Sequence, residues 1–205
     1  MAKMFKRTSD IDMVGTFLAL QKVSDKYPWG DDFAYLLMLN PSPSDLDGND
    51  ALDYEEKTGI TNTEQAVQID KTFVHDALVD LNRELSNYAR AVVQVGVART
   101  GGTDGNIYFT KATFTLGYVD EAGTFTSIAS ADGTPNFSTN STDYQLCSAQ
   151  AYITIPDNTI IYPANRIALK VECYGYRATT EHGKMKLCCS RGSYDSYLDF
   201  FWRYV

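Results

Sequence analysis

Apolar and polar residues alternate with a period of two over most of the second half of the chain. Across 149–155, Ala149, Ala151, Ile153 and Ile155 form one set, and Gln150, Tyr152 and Thr154 the other. Across 166–174 the sets are Ile167, Leu169, Val171 and Cys173 against Arg166, Ala168, Lys170, Glu172 and Tyr174. Successive side chains of a strand point to opposite faces, so each segment predicts a strand with one buried face. Pro156-Asp157-Asn158 and Pro163-Ala164-Asn165 bracket a short apolar run between them, so turn residues punctuate the pattern at strand-length intervals. Further strands are expected at 91–98, with Val93, Val95 and Val97 inward, at 108–118, 124–128, 144–155 and 184–190. Another is expected at the end of the chain, where Leu198, Phe200, Trp202 and Tyr204 alternate with Tyr197, Asp199, Phe201 and Arg203. Small polar residues dominate 130–142, which reads as an exposed loop.

Two regions depart from this rhythm. Val74, Leu78, Leu81 and Leu85 recur at helical spacing with Asp76, Asp80, Arg83 and Glu84 between them, which predicts a short amphipathic helix over 73–86. A pair of strands is the alternative. Residues 1–62 contain Pro28, Pro41 and Pro43 and little sustained periodicity outside 17–23 and 33–39. They read as an extended, loop-rich arm with two short strands or helical turns, leaving 63–205 as the folded domain. Phe17, Leu20, Trp29, Phe33 and Leu36 in that arm need cover, from the chain's own core or from a neighbouring subunit, and are the expected interface residues. The fold class expected is all-β, a jelly-roll-like β-sandwich of about eight antiparallel strands with an extended N-terminal arm and one short helix.

Charge and composition narrow the function classes. The net charge is −8 over 205 residues, against the basic face that general nucleic-acid or anionic-membrane binding needs. Ten acidic residues between Asp25 and Glu64 face only Lys26 and Lys57, so the excess negative charge sits in that stretch. The longest apolar run, at 33–39, is too short to span a bilayer, and no apolar stretch follows the basic residues at 3–7. A soluble protein without a signal peptide is expected.

Candidate chemistry is sparse. With Asp45 as position one, Asp47, Asn49, Asp53 and Glu56 fall on positions three, five, nine and twelve of an EF-hand-type calcium loop. Position six is Asp50 where the turn asks for glycine, and a solvated acidic loop is the plainer reading. No other cofactor is implied. His75 and His182 have no partner in sequence that suggests a metal or relay, and His182 falls in a turn by composition. Cys147, Cys173, Cys188 and Cys189 match no zinc spacing; Cys147, Cys173 and Cys189 read as small core residues, and Cys188 as outward. Tyr27-Pro28-Trp29-Gly30 with the outward Tyr152 and Tyr174 would suit a sugar-binding platform, although aromatics on strands more often pack or line interfaces. Sequons at Asn136 and Asn140 matter only in a secreted protein.

The segment Ile155-Pro156-Asp157-Asn158-Thr159-Ile160-Ile161-Tyr162-Pro163-Ala164-Asn165-Arg166-Ile167-Ala168-Leu169-Lys170-Val171-Glu172, with Gly192-Ser193-Tyr194-Asp195-Ser196-Tyr197-Leu198-Asp199 after it, resembles the jelly-roll structural proteins of tailed bacteriophages. The resemblance covers about the last 60 residues and is one of style. It implies a capsid-decorating, head-fibre, collar or tail-associated virion subunit, assembled in the host cytoplasm in many copies and without an active site. Its partners would be other virion proteins and further copies of itself, with a glycan receptor as the rival ligand.

Overall fold

The computed structural model describes residues 14–21, 33–38, 53–61, 63–75, 79–101, 105–178, 182–188 and 196–205, with side chains from Lys57 onward. Thirteen strands occur among them. They are β1 (Val14–Gln21), β2 (Phe33–Met38), β3 (Asp53–Ile60), β4 (Ala66–His75), β5 (Arg83–Arg99), β6 (Ile107–Val119) and β7 (Phe125–Gly133). Then come β8 (Phe137–Thr139), β9 (Gln145–Thr154), β10 (Ile160–Ile161), β11 (Arg166–Arg177), β12 (Gly183–Cys188) and β13 (Tyr197–Tyr204).

Strand β5, rich in valine and 17 residues long, organises the first sheet. Along one side it pairs with β13 over Arg83–Val92 and then with β12 over Gln94–Arg99. Along the other it pairs with β10 and then β9. Beyond β12 lies β3, and beyond β13 lie β1 and β2. The second sheet runs β4, β11, β6, β7, with β8 also beside β6. All these pairings are antiparallel except β2 with β4, Phe33–Leu36 against Thr72–His75, which joins the two sheets at one side. The fold is thus the expected all-β sandwich.

The inward residues of both sheets form one core. Val93, Val95, Val97, Ile153, Leu198 and Phe200 of the first sheet share it with Phe109, Phe114, Leu116, Leu169 and Val171 of the second. Burying each such side chain stabilises the fold by roughly 1.5–3 kcal/mol. The alternations of β9 and β11 are as expected, with Ala149, Ala151, Ile153 and Ile155, and Ile167, Leu169, Val171 and Cys173, all buried.

The helix expected at 73–86, the loop at 130–142 and the outward Cys188 need correcting. No helix occurs among the described residues: β4 runs to His75 and β5 begins at Arg83, so 73–86 contains ends of two strands, as the alternative had it. Phe73 faces the main core while Val74 packs with Val119 and Ala168 on the other face. A strand covered on both faces loses its alternation, and its apolar residues then mimic another period. Part of the loop expected at 130–142 is strand, since β7 continues to Gly133 and β8 follows. Cys188 is buried, not outward, at the point where β12 ends. Of residues 1–62, β1 lies between β13 and β2, β2 lies against β4, and β3 lies along β12. Phe17 and Leu20 therefore sit on β1, and Phe33 and Leu36 on β2, within the sheet.

Candidate interaction surface

The outward positions of the second sheet are spent on one another. Lys170 Nζ on β11 lies 3.1 Å from Asp70 Oδ2 on β4 and 3.3 Å from Glu172 Oε1. Desolvation pulls the Lys170 pKa down, but the hydrogen bonds and charges of Asp70 and Glu172 outweigh it and hold the pKa above its ordinary value. Lys111 Nζ lies 3.4 Å from Asp132 Oδ2, whose Oδ1 accepts from the Thr113 hydroxyl at 2.6 Å. Lys111 also sits 4.2 Å from the centre of the Tyr174 ring, and Tyr176 stacks on Tyr108 at 4.5 Å. Cross-strand pairs of this kind are each worth only a few tenths of a kcal/mol, so this face is an ion-paired, solvated surface.

The first sheet is finished differently. With Ala89, Ala91 and Val93 in the core, period two turns Tyr88 and Arg90 of β5 outward. Register brings Tyr152 of β9 opposite Arg90 on one side and Asp199 of β13 opposite it on the other. Tyr88 and Tyr152 are 66% and 67% exposed, and Phe201 of β13, opposite the bulge that 86–88 make in β5, is 49% exposed. The Arg90 guanidinium lies 5.9 Å from the Tyr152 ring and 5.5 Å from that of Tyr197, and donates to Gln150 Oε1 at 3.0 Å. Asp199 makes no ion pair with a described residue. At the end of the same sheet Tyr162, Tyr204 and Val205 are also exposed, next to Arg83, which stacks 4.2 Å over Trp202 and donates to Asp80 at 3.0 Å. That hydrogen bond holds the Asp80 carboxyl below its ordinary pKa.

Sequence-predicted residues fall as follows. Tyr152 and Tyr174 are both outward but belong to opposite sheets, so they form no joint platform. Tyr88, the diagonal neighbour of Tyr152, was not legible as such, because only cross-strand register brings the two together. Asp45, Asp47, Asn49 and Trp29 lie outside the described residues. Asp53 and Glu56 lie three apart on the extended strand β3, opposite Cys188 and Lys186. Among the described residues no group of three His, Cys, Asp or Glu side chains is placed to hold a metal. The His182 side chain is exposed and its carbonyl accepts from Thr100 N–H at 2.8 Å. Cys147 is half-buried, and burial raises its thiol pKa; Cys173 is fully buried, and burial pushes its pKa up to about 12. Cys189 lies outside the described residues.

No protein-family model matches the chain, and no curated protein sequence does. Among solved structures it is similar to a CocE/NonD family hydrolase from Staphylococcus aureus, at 12% identity and a TM-score of 0.47, over 94% of this chain and 37% of that one. An aminopeptidase from a marine sediment archaeon, Thaumarchaeota archaeon, matches at 8% identity and a TM-score of 0.42, over 66% of this chain and 26% of that one. The VP2 subviral particle of infectious bursal disease virus matches at 11% identity and a TM-score of 0.29, over 76% of this chain and 35% of that one. The chain spans about a third of the length of these proteins, and nothing of their activity or assembly transfers at such distances.

Proposed function

We propose that the protein is a non-enzymatic structural subunit of a virus particle, of the bacteriophage kind that 155–172 resembles: a capsid-decorating or head- or tail-associated protein present in many copies. The unequal finish of the two sheets carries this reading. One face is closed by its own ion pairs, while the other leaves Tyr88, Tyr152 and Phe201 exposed around Arg90. Exposed aromatics grouped with an arginine are what association surfaces use, and a two-sheet core supplies a rigid support for them. Mass spectrometry of gradient-purified particles tests this. Recovery in fixed ratio to a major coat protein is expected; absence from particles overturns it.

A glycan-binding module is the second reading, favoured by Tyr88 and Tyr152 beside the Arg90–Gln150 pair. A sugar ring stacks on an aromatic face while its hydroxyls meet such polar groups. Binding on a glycan array that is lost in Tyr152→Ala would move this reading to the front. Turnover of ester or glycoside substrates that disappears in His75→Ala or His182→Ala would overturn the non-enzymatic reading.

A further inference from the structure

We propose that the outward face of β9, β5 and β13 is a twofold contact with a second copy of this chain, in which Arg90 of each copy meets Asp199 of the other. The inference rests on the multi-copy structural reading and names the surface that such a subunit would use. Two copies carrying −8 each repel on average. Beside Tyr88 and Tyr152 on this face, however, one positive and one negative group are paired: Arg90 faces Asp199 directly across the β5–β13 pairing. Within one chain the Arg90 guanidinium is drawn toward Gln150 and the rings of Tyr152 and Tyr197, not onto Asp199. One positive and one negative group side by side on the same patch are self-complementary about a twofold axis, where residue i of one copy meets residue j of the other and j meets i. Tyrosine, phenylalanine and arginine are the residues enriched at the centres of such contacts. Three half- to two-thirds-exposed aromatics supply on the order of 400 Å², and the flanking outward side chains bring the patch toward the roughly 800 Å² per partner of a standard interface. The contact is face to face: β5 and β13 are paired on both sides, and β9, paired with β5 alone, adds the outward Tyr152 and Gln150. At the margin of the same sheet, β3 carries Asp53, Glu55, Glu56 and Lys57, charges of the kind that discourage edge pairing.

Sedimentation velocity on the full chain, from micromolar to sub-millimolar concentration, reads the association. Wild type is expected to dimerise, and Tyr152→Ser to weaken the dimer by about tenfold or more. Arg90→Asp and Asp199→Arg alone each place like charges together twice and weaken it by roughly 100-fold. An equimolar mixture of these two variants is the discriminating arm, since both contacts in the mixed dimer are then attractive and association returns to within about tenfold of wild type. Unchanged melting temperatures exclude unfolding as the cause; if either charge variant is unfolded, Tyr88→Ser with Tyr152→Ser replaces it, and undiminished dimerisation in that pair overturns the proposal. A wild type that stays monomeric, or a mixture that stays dissociated, also overturns it, as does glycan binding by a monomer that Tyr152→Ser abolishes. Particle mass spectrometry is independent of these arms. Protein found in particles whose face variants still self-associate leaves the virion reading standing and removes this interface; absence from particles with the mixture restored does the reverse.

Discussion

Ser196 sits where two strands hand over along β5. Its buried hydroxyl donates to Cys188 O at 2.6 Å, at the end of β12, and accepts from Gln94 N–H at 2.9 Å, just before the β13 pairing begins. Ser196→Ala removes both of these buried hydrogen bonds and should cost about 2 kcal/mol in chemical denaturation, a loss that a surface serine would not give. Gly175 is needed for a different reason. The extra residues Gln68 of β4 and Thr110 of β6 bulge beside it on either side, and a Cβ at 175 would stand 2.5 Å from the Tyr108 carbonyl oxygen. Gly175→Ala should therefore lower stability by roughly 2–3 kcal/mol, since backbone must move to admit it. At Cys173 the prediction concerns pH. Its thiol is raised from 9.0 to about 12 by burial, so the native state keeps a proton that the unfolded chain releases. The stability this contributes is complete below about pH 9 and is lost as pH rises toward 12, at a slope of up to about 1.4 kcal/mol per pH unit. Cys173→Ala should flatten that alkaline limb even if it lowers stability overall; an unchanged slope contradicts the assignment. The burial of Cys173 was legible in the alternation of 166–174, whereas the roles of Ser196 and Gly175 were not, because each depends on which strand end or bulge lies alongside.

Elements were legible wherever one face is buried and the other wet. The alternations of β9, β11 and β13 survive in the structure because most of their outward residues are polar or aromatic groups in contact with solvent, the buried Ala168 of β11 excepted. They fail where both faces are covered, as at Phe73 and Val74, and there helical spacing arose by coincidence. Strands β1 and β2 were readable as short strands but not as sheet members, since nothing local says that β2 will lie parallel to β4. Their position gives a prediction. Removing residues 1–38 uncovers the paired edges of β13 and β4 together; the truncated chain should lose its cooperative thermal transition or aggregate, as followed by circular dichroism and size exclusion. A truncated chain that melts cooperatively as a monomer would show that the arm is separable.

Across the whole molecule, two sheets share one core and present opposite surfaces. One is closed by Lys170, Asp70, Glu172, Lys111 and Asp132, and the other displays Tyr88, Tyr152 and Phe201. The chain has 14 tyrosines and 10 phenylalanines, and only register shows that the most exposed ones among the described residues gather on a single sheet. Hydroxyl-radical footprinting of the protein in dilute solution and in its assembled form, read by mass spectrometry, separates the two faces directly. Loss of labelling at Tyr88, Tyr152 and Phe201 on assembly, with Tyr174 and Tyr176 unchanged, is the expected result. Protection of Tyr174 and Tyr176 instead, or of neither face, would contradict the assignment of the aromatic sheet as the surface of association.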